Sequence, residues 1–313
     1  MEKINRLGYC CINETLAVHD ISTSRGMVKR TFESRGLDYV SELALKNIED
    51  LLKILKWNTG HHVKLYRVTS NLFPWMSEYE ITELPGFDAI HEKLKECGSY
   101  AISTDQRLTF HPGPFNVLGS PSSAAIKKTV KDLNQHAQIF DLMGLEASTY
   151  YPINIHVGGS YEDKPSTLNR FCENFQLLDE SARKRLVVEN DDKSSTYSVW
   201  ELFNGIHQKI GIPITFDYHH HRFNGSDLIE SDALILASST WSVKQLVHYS
   251  SCKKTFEDPK SNPRAHADWI YEKINTYGLH LDIEIEAKAK ELAVLDYLRR
   301  LNNKTLLKEY VEF

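Results

Sequence analysis

Histidines and carboxylates stand in this sequence where apolar, β-forming runs end. His111 follows Leu108-Thr109-Phe110, His156 follows Ile153-Asn154-Ile155, and Glu189 follows Leu186-Val187-Val188. Asp217 and the triplet His219-His220-His221 follow Ile214-Thr215-Phe216, His248 follows Leu246-Val247, and Glu286 closes Leu281-Asp282-Ile283-Glu284-Ile285. A mixed set of imidazoles and carboxylates suits manganese, zinc or iron better than calcium, and needs no thiolate. A shared carboxylate can hold two such ions about 4 Å apart, where they activate water and neutralise charge on a phosphoryl transition state. Glu189, central in strand order, is the candidate bridge. Singly, a buried histidine or strand-end glutamate is more often a hydrogen-bonded structural group. Their joint placement turns the reading towards a metal centre.

Side chains so far apart in sequence converge only if the strand ends share one rim, as they do in a barrel of parallel strands. Strands are expected near 6–11, 63–69, 99–104, 150–156, 185–190, 212–218, 244–249 and 279–286. Amphipathic segments at 39–56, 86–96, 121–143, 165–179, 195–209 and 264–276 alternate with them, their apolar residues recurring at three and four positions. That rhythm predicts an α/β fold, a (β/α)8 TIM barrel with its metal site at the C-terminal rim. Ser122 and Ser195 are expected helix N-caps. Ala233-Leu234-Ile235-Leu236 reads equally as a helix end or a strand. Residues 288–313 read as a charged helical extension of one domain spanning 1–313, with Glu291, Arg299, Arg300 and Lys304 on solvated faces.

A chain of 313 residues, 41% hydrophobic and 25% charged, is long enough for one large barrel with a sizeable core. Its five cysteines are odd in number and lack paired spacing, so a reduced, intracellular setting is expected rather than a disulfide framework. No apolar stretch approaches the roughly 20 residues that span a bilayer, and no membrane partner is expected. The net charge of -5 gives no global attraction to a polyanion. Nucleic-acid binding would depend on a local basic lining or on bound cations.

Other residues admit two readings. Strict strand alternation puts Asp217, His219 and His221 on one face and His220 on the other, unless the chain leaves the strand there; spacing alone does not choose between His219 and His220. Arg67 ends a strand and could pair with a phosphate or with a ligating carboxylate. Phe73-Pro74-Trp75 and Phe115 are aromatic segments at the rim, placed either to stack on bases or to pack their loops. Tyr9 and Asn13 could face a substrate or fill the barrel mouth. Cys10 and Cys11 read as small core residues, and His19, His61, His62, His91, His207 and His280 as surface.

Taken in order, the motifs resemble the UV damage endonuclease family of repair nucleases. The matching stretches include Arg6-Leu7-Gly8-Tyr9-Cys10-Cys11-Ile12-Asn13, Tyr66 to Trp75, Phe110-His111-Pro112-Gly113 and Asn154-Ile155-His156-Val157-Gly158-Gly159. They continue through Val188-Glu189-Asn190-Asp191-Asp192, Phe216 to His221, His248-Tyr249-Ser250, His266-Ala267-Asp268-Trp269-Ile270 and Glu286 to Lys290, covering residues 6–290. The resemblance implies a barrel similar to endonuclease IV, two or three divalent ions, typically manganese with zinc or magnesium as alternatives, and a monomer acting on damaged double-stranded DNA. It implies incision immediately 5′ to a UV photoproduct, leaving a 3′-hydroxyl and a 5′-phosphate. It would assign His111, His156 and Glu189 to one ion, Glu189, Asp217, His248 and Glu286 to a second, and His220 and His266 to a third. Tyr9, Asn13 and Arg67 would lie towards the lesion, which such enzymes extrude from the stack.

Two departures from the family pattern stand out. After His-Pro-Gly the family commonly has Gln and Tyr, which probe the gap left by the lesion; here Pro114 and Phe115 follow. Where the family often carries a carboxylated lysine, two residues before His248, this chain has Leu246. The first departure keeps an abasic-site endonuclease as the alternative reading, ahead of a sugar isomerase on a metal-bearing barrel and of a lesion-binding protein without turnover.

Overall fold

Alternation along each strand decides what reaches the interior of this molecule. In a computed structural model describing residues 5–161, 163–225 and 228–302, eight parallel strands close into a barrel in sequence order. They are β1 (Arg6–Cys10), β2 (Leu65–Val68), β3 (Arg107–Phe110), β4 (Ile153–Ile155), β5 (Leu186–Glu189), β6 (Ile214–Asp217), β7 (Leu246–Tyr249) and β8 (Asp282–Ile285). Around and between them run α1 (Glu14–Ala17), α2 (Lys29–Gly60), α3 (Phe87–Ser103), α4 (Ser123–Leu142), α5 (Lys164–Phe175) and α6 (Glu180–Arg185). The series continues with α7 (Val199–Leu202), α8 (Gln208–Ile210), α9 (Tyr218–Asn224), α10 (Glu230–Ser239), α11 (Lys253–Phe256) and α12 (Lys290–Asn302). None of the described helices is long and apolar enough to cross a membrane.

One set of alternating strand residues, among them Tyr9, Tyr66, Phe110, Ile155, Val188, Phe216, Val247 and Ile285, joins helix residues in a single apolar core between barrel and helices. Each such side chain taken from water contributes roughly 1.5–3 kcal/mol. The other set is largely polar: Arg67, Arg107, Thr109, Asn154, Glu189, Thr215, Asp217, His248, Asp282 and Glu284 are all buried. Interiors of such barrels are more often filled by branched apolar residues. Here the inner wall is a stack of charges. At the N-terminal end Arg107 pairs with Asp282 at 3.0 Å, both fully buried, and its guanidinium lies 4.9 Å from the Tyr150 ring. Gly8 permits the β1–β2 contact, since a Cβ there would fall 2.2 Å from the Leu65 carbonyl oxygen.

Several local expectations are corrected. Residues 99–104 are not a strand but the end of α3 and its C-cap; Ala101 continues the buried helical stripe of Ile90, Leu94 and Cys97, and the third strand is β3, at 107–110. The segment 264–276 is not helical. Its backbone donors are spent elsewhere, Ala267 N on the Ser251 carbonyl and Asp268 N and Trp269 N on Glu257 Oε1. Ser122 caps α4 as expected, but α7 is capped by Ser198 rather than Ser195, because Ser198 and Glu201 form a reciprocal capping box. Residues 233–236 are helical, within α10. Residue Glu291 is fully buried instead of solvated, accepting from Glu14 N at 2.8 Å and from Thr15 N and Oγ1 at 2.7 and 2.9 Å. Lys304 lies outside the described residues.

Candidate metal centre

Strand register brings the chemistry to one level: Glu189 lies beside Thr215, Asp217 beside His248, and His248 beside Glu284. Glu189 stands at the middle. His111 Nε2 is 3.1 Å from its Oε2, His248 Nδ1 3.0 Å from the same oxygen, and His156 Nε2 3.8 Å from Oε1. Ligand atoms of His111, His156 and Glu189 all lie within 4.8 Å of one another, and so do those of Glu189, Asp217 and His220. The first group is the one expected from sequence. The second differs from the resemblance, which grouped His220 with His266; the rings of those two are 6.5 Å apart.

The histidine triplet is resolved by a change of secondary structure. The strand stops at Asp217, whose carboxylate caps α9 by accepting from His220 N at 2.7 Å. Helical geometry then puts the third residue after the cap back over the cap's side chain. His219 is fully buried, with Nε2 3.1 Å from the Arg264 carbonyl. His220 Nδ1 lies 2.9 Å from the Asn190 carbonyl, an acceptor only, so Nδ1 carries the proton and Nε2 is left with its lone pair.

Two partners escaped the sequence reading. Asp191 Oδ1 is 3.1 Å from His156 Nδ1, an ion-pair contact behind a ring whose Nε2 lies 3.8 Å from Glu189 Oε1. Glu284, on β8, contacts His248 Nε2 at 3.0 Å, Arg67 Nε at 2.9 Å and Thr109 Oγ1 at 2.6 Å. Carboxylates behind imidazole ligands commonly fix tautomer and ring angle. The available signal was alternation, which makes Glu284 an inward neighbour of Glu286.

Electrostatics of the cluster are tightly linked. Burial opposes charge on Glu189, yet His248 and His156 hold its carboxyl well below the usual range. Burial would lower the imidazole of His248, but the Glu189 carboxylate pushes it up to about 10. His220 is also raised, Asp217 and Glu189 outweighing burial, and His156 is raised by Glu189 and Asp191. His111 goes the other way because burial dominates. Glu286 is strongly lowered: Arg67 and His248 overcome its burial.

The residues fit divalent ions. Glu189 Oε1 and Asp217 Oδ2 are buried carboxylate oxygens that accept no hydrogen bond, although His220 Nδ1 stands 3.2 Å and 3.9 Å from them, a costly arrangement unless a cation completes it. Imidazoles ring them: His111 to His156 is 5.3 Å, His156 to His220 5.5 Å and His111 to His248 5.6 Å between ring centres.

The expected DNA-facing residues separate into two sets. Pro114 and Phe115 occupy the exposed corners of a turn closed by Asn116 N donating to the Gly113 carbonyl at 3.1 Å, and Phe115 is 89% exposed. Tyr9 and Asn13 are 0% and 2% exposed, their polar ends joined to each other and to Asn58, so neither offers DNA a surface to touch. Arg67, 8% exposed, has carboxylates as partners: its Nη2 is 2.7 Å from Glu286 Oε1. Phe73 and Pro74 are buried, and Trp75 stacks on Phe32 at 5.6 Å, so that segment packs its own loop. Leu246 is a fully buried residue at the start of β7, level with Asp282.

Comparison with known proteins agrees with this geometry. The family described as UV-endonuclease UvdE matches residues 5–313. The chain is 31% identical over 315 residues to the UV DNA damage endonuclease of Bacillus thuringiensis subsp. konkukian (strain 97-27), covering 96% of this chain and 95% of that one. It is 34% identical to the UV-damage endonuclease of Schizosaccharomyces pombe (strain 972 / ATCC 24843), spanning 94% of this chain and 50% of that longer protein. The crystal structure of SacUVDE superposes with a TM-score of 0.83 at 30% identity, covering 96% of this chain and 99% of that one. D-Psicose 3-epimerase from Clostridium cellulolyticum H10, at 12% identity and a TM-score of 0.51 over 82% of this chain and 89% of its own, shares the fold alone.

Proposed function

This chain belongs to the UV-endonuclease UvdE family, and from that membership we propose a divalent-metal-dependent endonuclease that nicks damaged duplex DNA immediately 5′ to UV photoproducts, leaving a 3′-hydroxyl and a 5′-phosphate. The observation that carries the metal dependence is the pair of buried, donor-less carboxylate oxygens on Glu189 and Asp217 inside a ring of imidazoles. His111, His156 and Glu189 would hold one ion. Glu189, Asp217 and His220 would hold another, with His248, Glu286 and His266 completing the set. Imidazole and carboxylate donors suit manganese, with zinc and magnesium as competitors. Bound divalent ions supply Lewis acidity at a phosphoryl oxygen and a water of lowered pKa.

The chain's own residues supply position and shape. Asp191 and Glu284 fix the ring nitrogens of His156 and His248, and Asn190 does the same for His220. No side chain of the cluster need act as a general base. Phe115, on its exposed turn, would wedge into the stack beside an extruded lesion, with Pro114 stiffening the turn. Tyr9 and Asn13 act from behind, holding the loop that starts α1. The acting unit is proposed as an intracellular monomer built as one barrel.

One observation favours a second reading, an abasic-site endonuclease: the turn tip lacks the hydrogen-bonding amide that its family commonly presents to the gap. Incision of end-labelled duplexes carrying a cyclobutane dimer, a 6-4 photoproduct, an abasic site or no lesion, with Mn²⁺ and with chelator, separates the two. Metal-dependent cutting 5′ to a photoproduct is the expected result. Cutting at the abasic site alone would transfer the protein to the second reading.

A further inference from the structure

Beneath the ligand cluster lies an ion pair that the family ligand set does not include. Glu284, 1% exposed at its side chain, receives Arg67 Nε at 2.9 Å and Arg67 Nη2 at 2.7 Å on Oε2, and Thr109 Oγ1 at 2.6 Å on Oε1. The same Arg67 nitrogen also lies 2.7 Å from Glu286 Oε1 and 2.9 Å from His248 Nε2.

Arg67 Nη2 donates to Glu284 Oε2 at 2.7 Å, faces His248 Nε2 at 2.9 Å and lies in ion-pair contact with Glu286 Oε1 at 2.7 Å. Glu284 Oε2 stands 3.0 Å from the same ring nitrogen of His248. With Nε2 turned to this pair, the ring presents Nδ1, the nitrogen 3.0 Å from Glu189 Oε2 and 3.6 Å from Glu286 Oε1. Two ligands are thus set from one anchor, His248 through Glu284 and Glu286 through Arg67. Thr109 fixes the anchor from the opposite side. Because Glu284 and Arg67 neutralise each other, the anchor adds no net charge to the site it supports.

We propose that Glu284 and Arg67 are a buried positioning pair that presents His248 Nδ1 and Glu286 to one divalent ion, while the ion held by His111, His156 and Glu189 is positioned independently through Asp191. This rests on the metal-dependent reading above. Outer partners of this kind are worth about 10- to 100-fold in metal affinity.

The test is Mn²⁺ titration of metal-free protein followed by the electron spin resonance of free Mn²⁺, which counts and ranks bound ions without requiring turnover. Wild type, Glu284→Gln and Thr109→Val are compared, with circular dichroism confirming the fold of each. Glu284→Gln should bind one ion about 10- to 100-fold more weakly and another with unchanged affinity. Thr109→Val, which removes only the hydroxyl, should shift the same ion by a few-fold, and it decides the matter if Glu284→Gln does not fold. Visible spectra of the Co²⁺-loaded proteins should change for that site in step with its affinity. Unaltered binding in a folded variant, or equal weakening of every ion, would overturn the positioning role while leaving metal dependence intact. Absence of any bound Mn²⁺ in wild type would overturn the metal reading itself, and the positioning role with it.

Discussion

At the scale of single residues, this site is made by oxygens that the protein itself leaves unsatisfied. Glu189 is the sharpest case: four imidazoles lie within 4 Å of its carboxylate, yet Oε1 accepts no hydrogen bond. Glu189→Gln and His156→Ala should each lower incision at least about 100-fold, the effect expected of an outer partner and so a floor for a ligand. Their folds should survive, because Gln keeps the shape of Glu189 while the imidazoles beside it can give up their protons, and the His156 side chain is 23% exposed. Near-normal incision in either would sink the metal assignment. Lesion recognition is proposed for a different residue pair, Pro114 and Phe115. Phe115 is 89% exposed and contributes nothing to the core, so Phe115→Ala should leave thermal stability unchanged while reducing selectivity for damaged over intact duplex. Restoring the family's usual pair, Pro114→Gln with Phe115→Tyr, should broaden or strengthen lesion recognition; an unchanged substrate profile would show that the turn does not probe DNA. Much of the candidate ligand cluster was legible from sequence because strand ends announce themselves by composition. Asp191, Glu284 and the burial of Arg67 were not, since the partners of Glu284 and Arg67 lie 217 residues apart and only closure of the barrel joins them.

At the scale of elements, the barrel was legible where one face of a strand is apolar. Leu186-Val187-Val188 and Ile214-Thr215-Phe216 mark their strands because alternate residues fill the core against the helices. The third strand was misplaced to 99–104 because Tyr100-Ala101-Ile102 has β-forming composition but lies on a helical stripe, and periodicity over a longer window prevails. The failed helix at 264–276 has another cause: tertiary acceptors on Ser251 and Glu257 claim its backbone donors, which no local pattern encodes. Helix ends carry a quantitative prediction. Glu291 on α12 is the acceptor for the first backbone donors of α1, so it ties the last helix to the loop that holds Asn13. Glu291→Ala would strand those donors and should cost about 2–3 kcal/mol in urea unfolding. A loss below about 0.5 kcal/mol, the range of ordinary surface changes, would mean that the contact does not hold α1 in solution.

At the scale of the whole molecule, a net charge of -5 and an acidic inner wall make cations part of the fold's own balance. Without metal, protonated imidazoles serve that purpose: His156, His220 and His248 are all raised by neighbouring carboxylates. Metal binding must expel those protons, because a ligating nitrogen needs its lone pair. Mn²⁺ affinity should therefore strengthen as pH rises from 6 to 9, and calorimetric titration in buffers of different ionisation enthalpy should reveal net proton release. Stability of the metal-free protein should move in the opposite direction over the alkaline range. His248 has a folded value raised from 6.5 to about 10, so its contribution is fully present below pH 6.5 and is lost as pH climbs through about 10. Glu284 is depressed from 4.5 to about 2, so its contribution is present above pH 4.5 and lost only in strong acid. Between them the two groups favour the metal-free fold most from about pH 4.5 to 6.5. Thermal melts in chelator should then show Tm falling above pH 6.5, and saturating Mn²⁺ should flatten that fall by supplying the positive charge the imidazoles give up. If the chelated and Mn²⁺-loaded curves run parallel across pH 6 to 9, the histidines are not exchanging protons for metal and the cluster is a structural charge network alone.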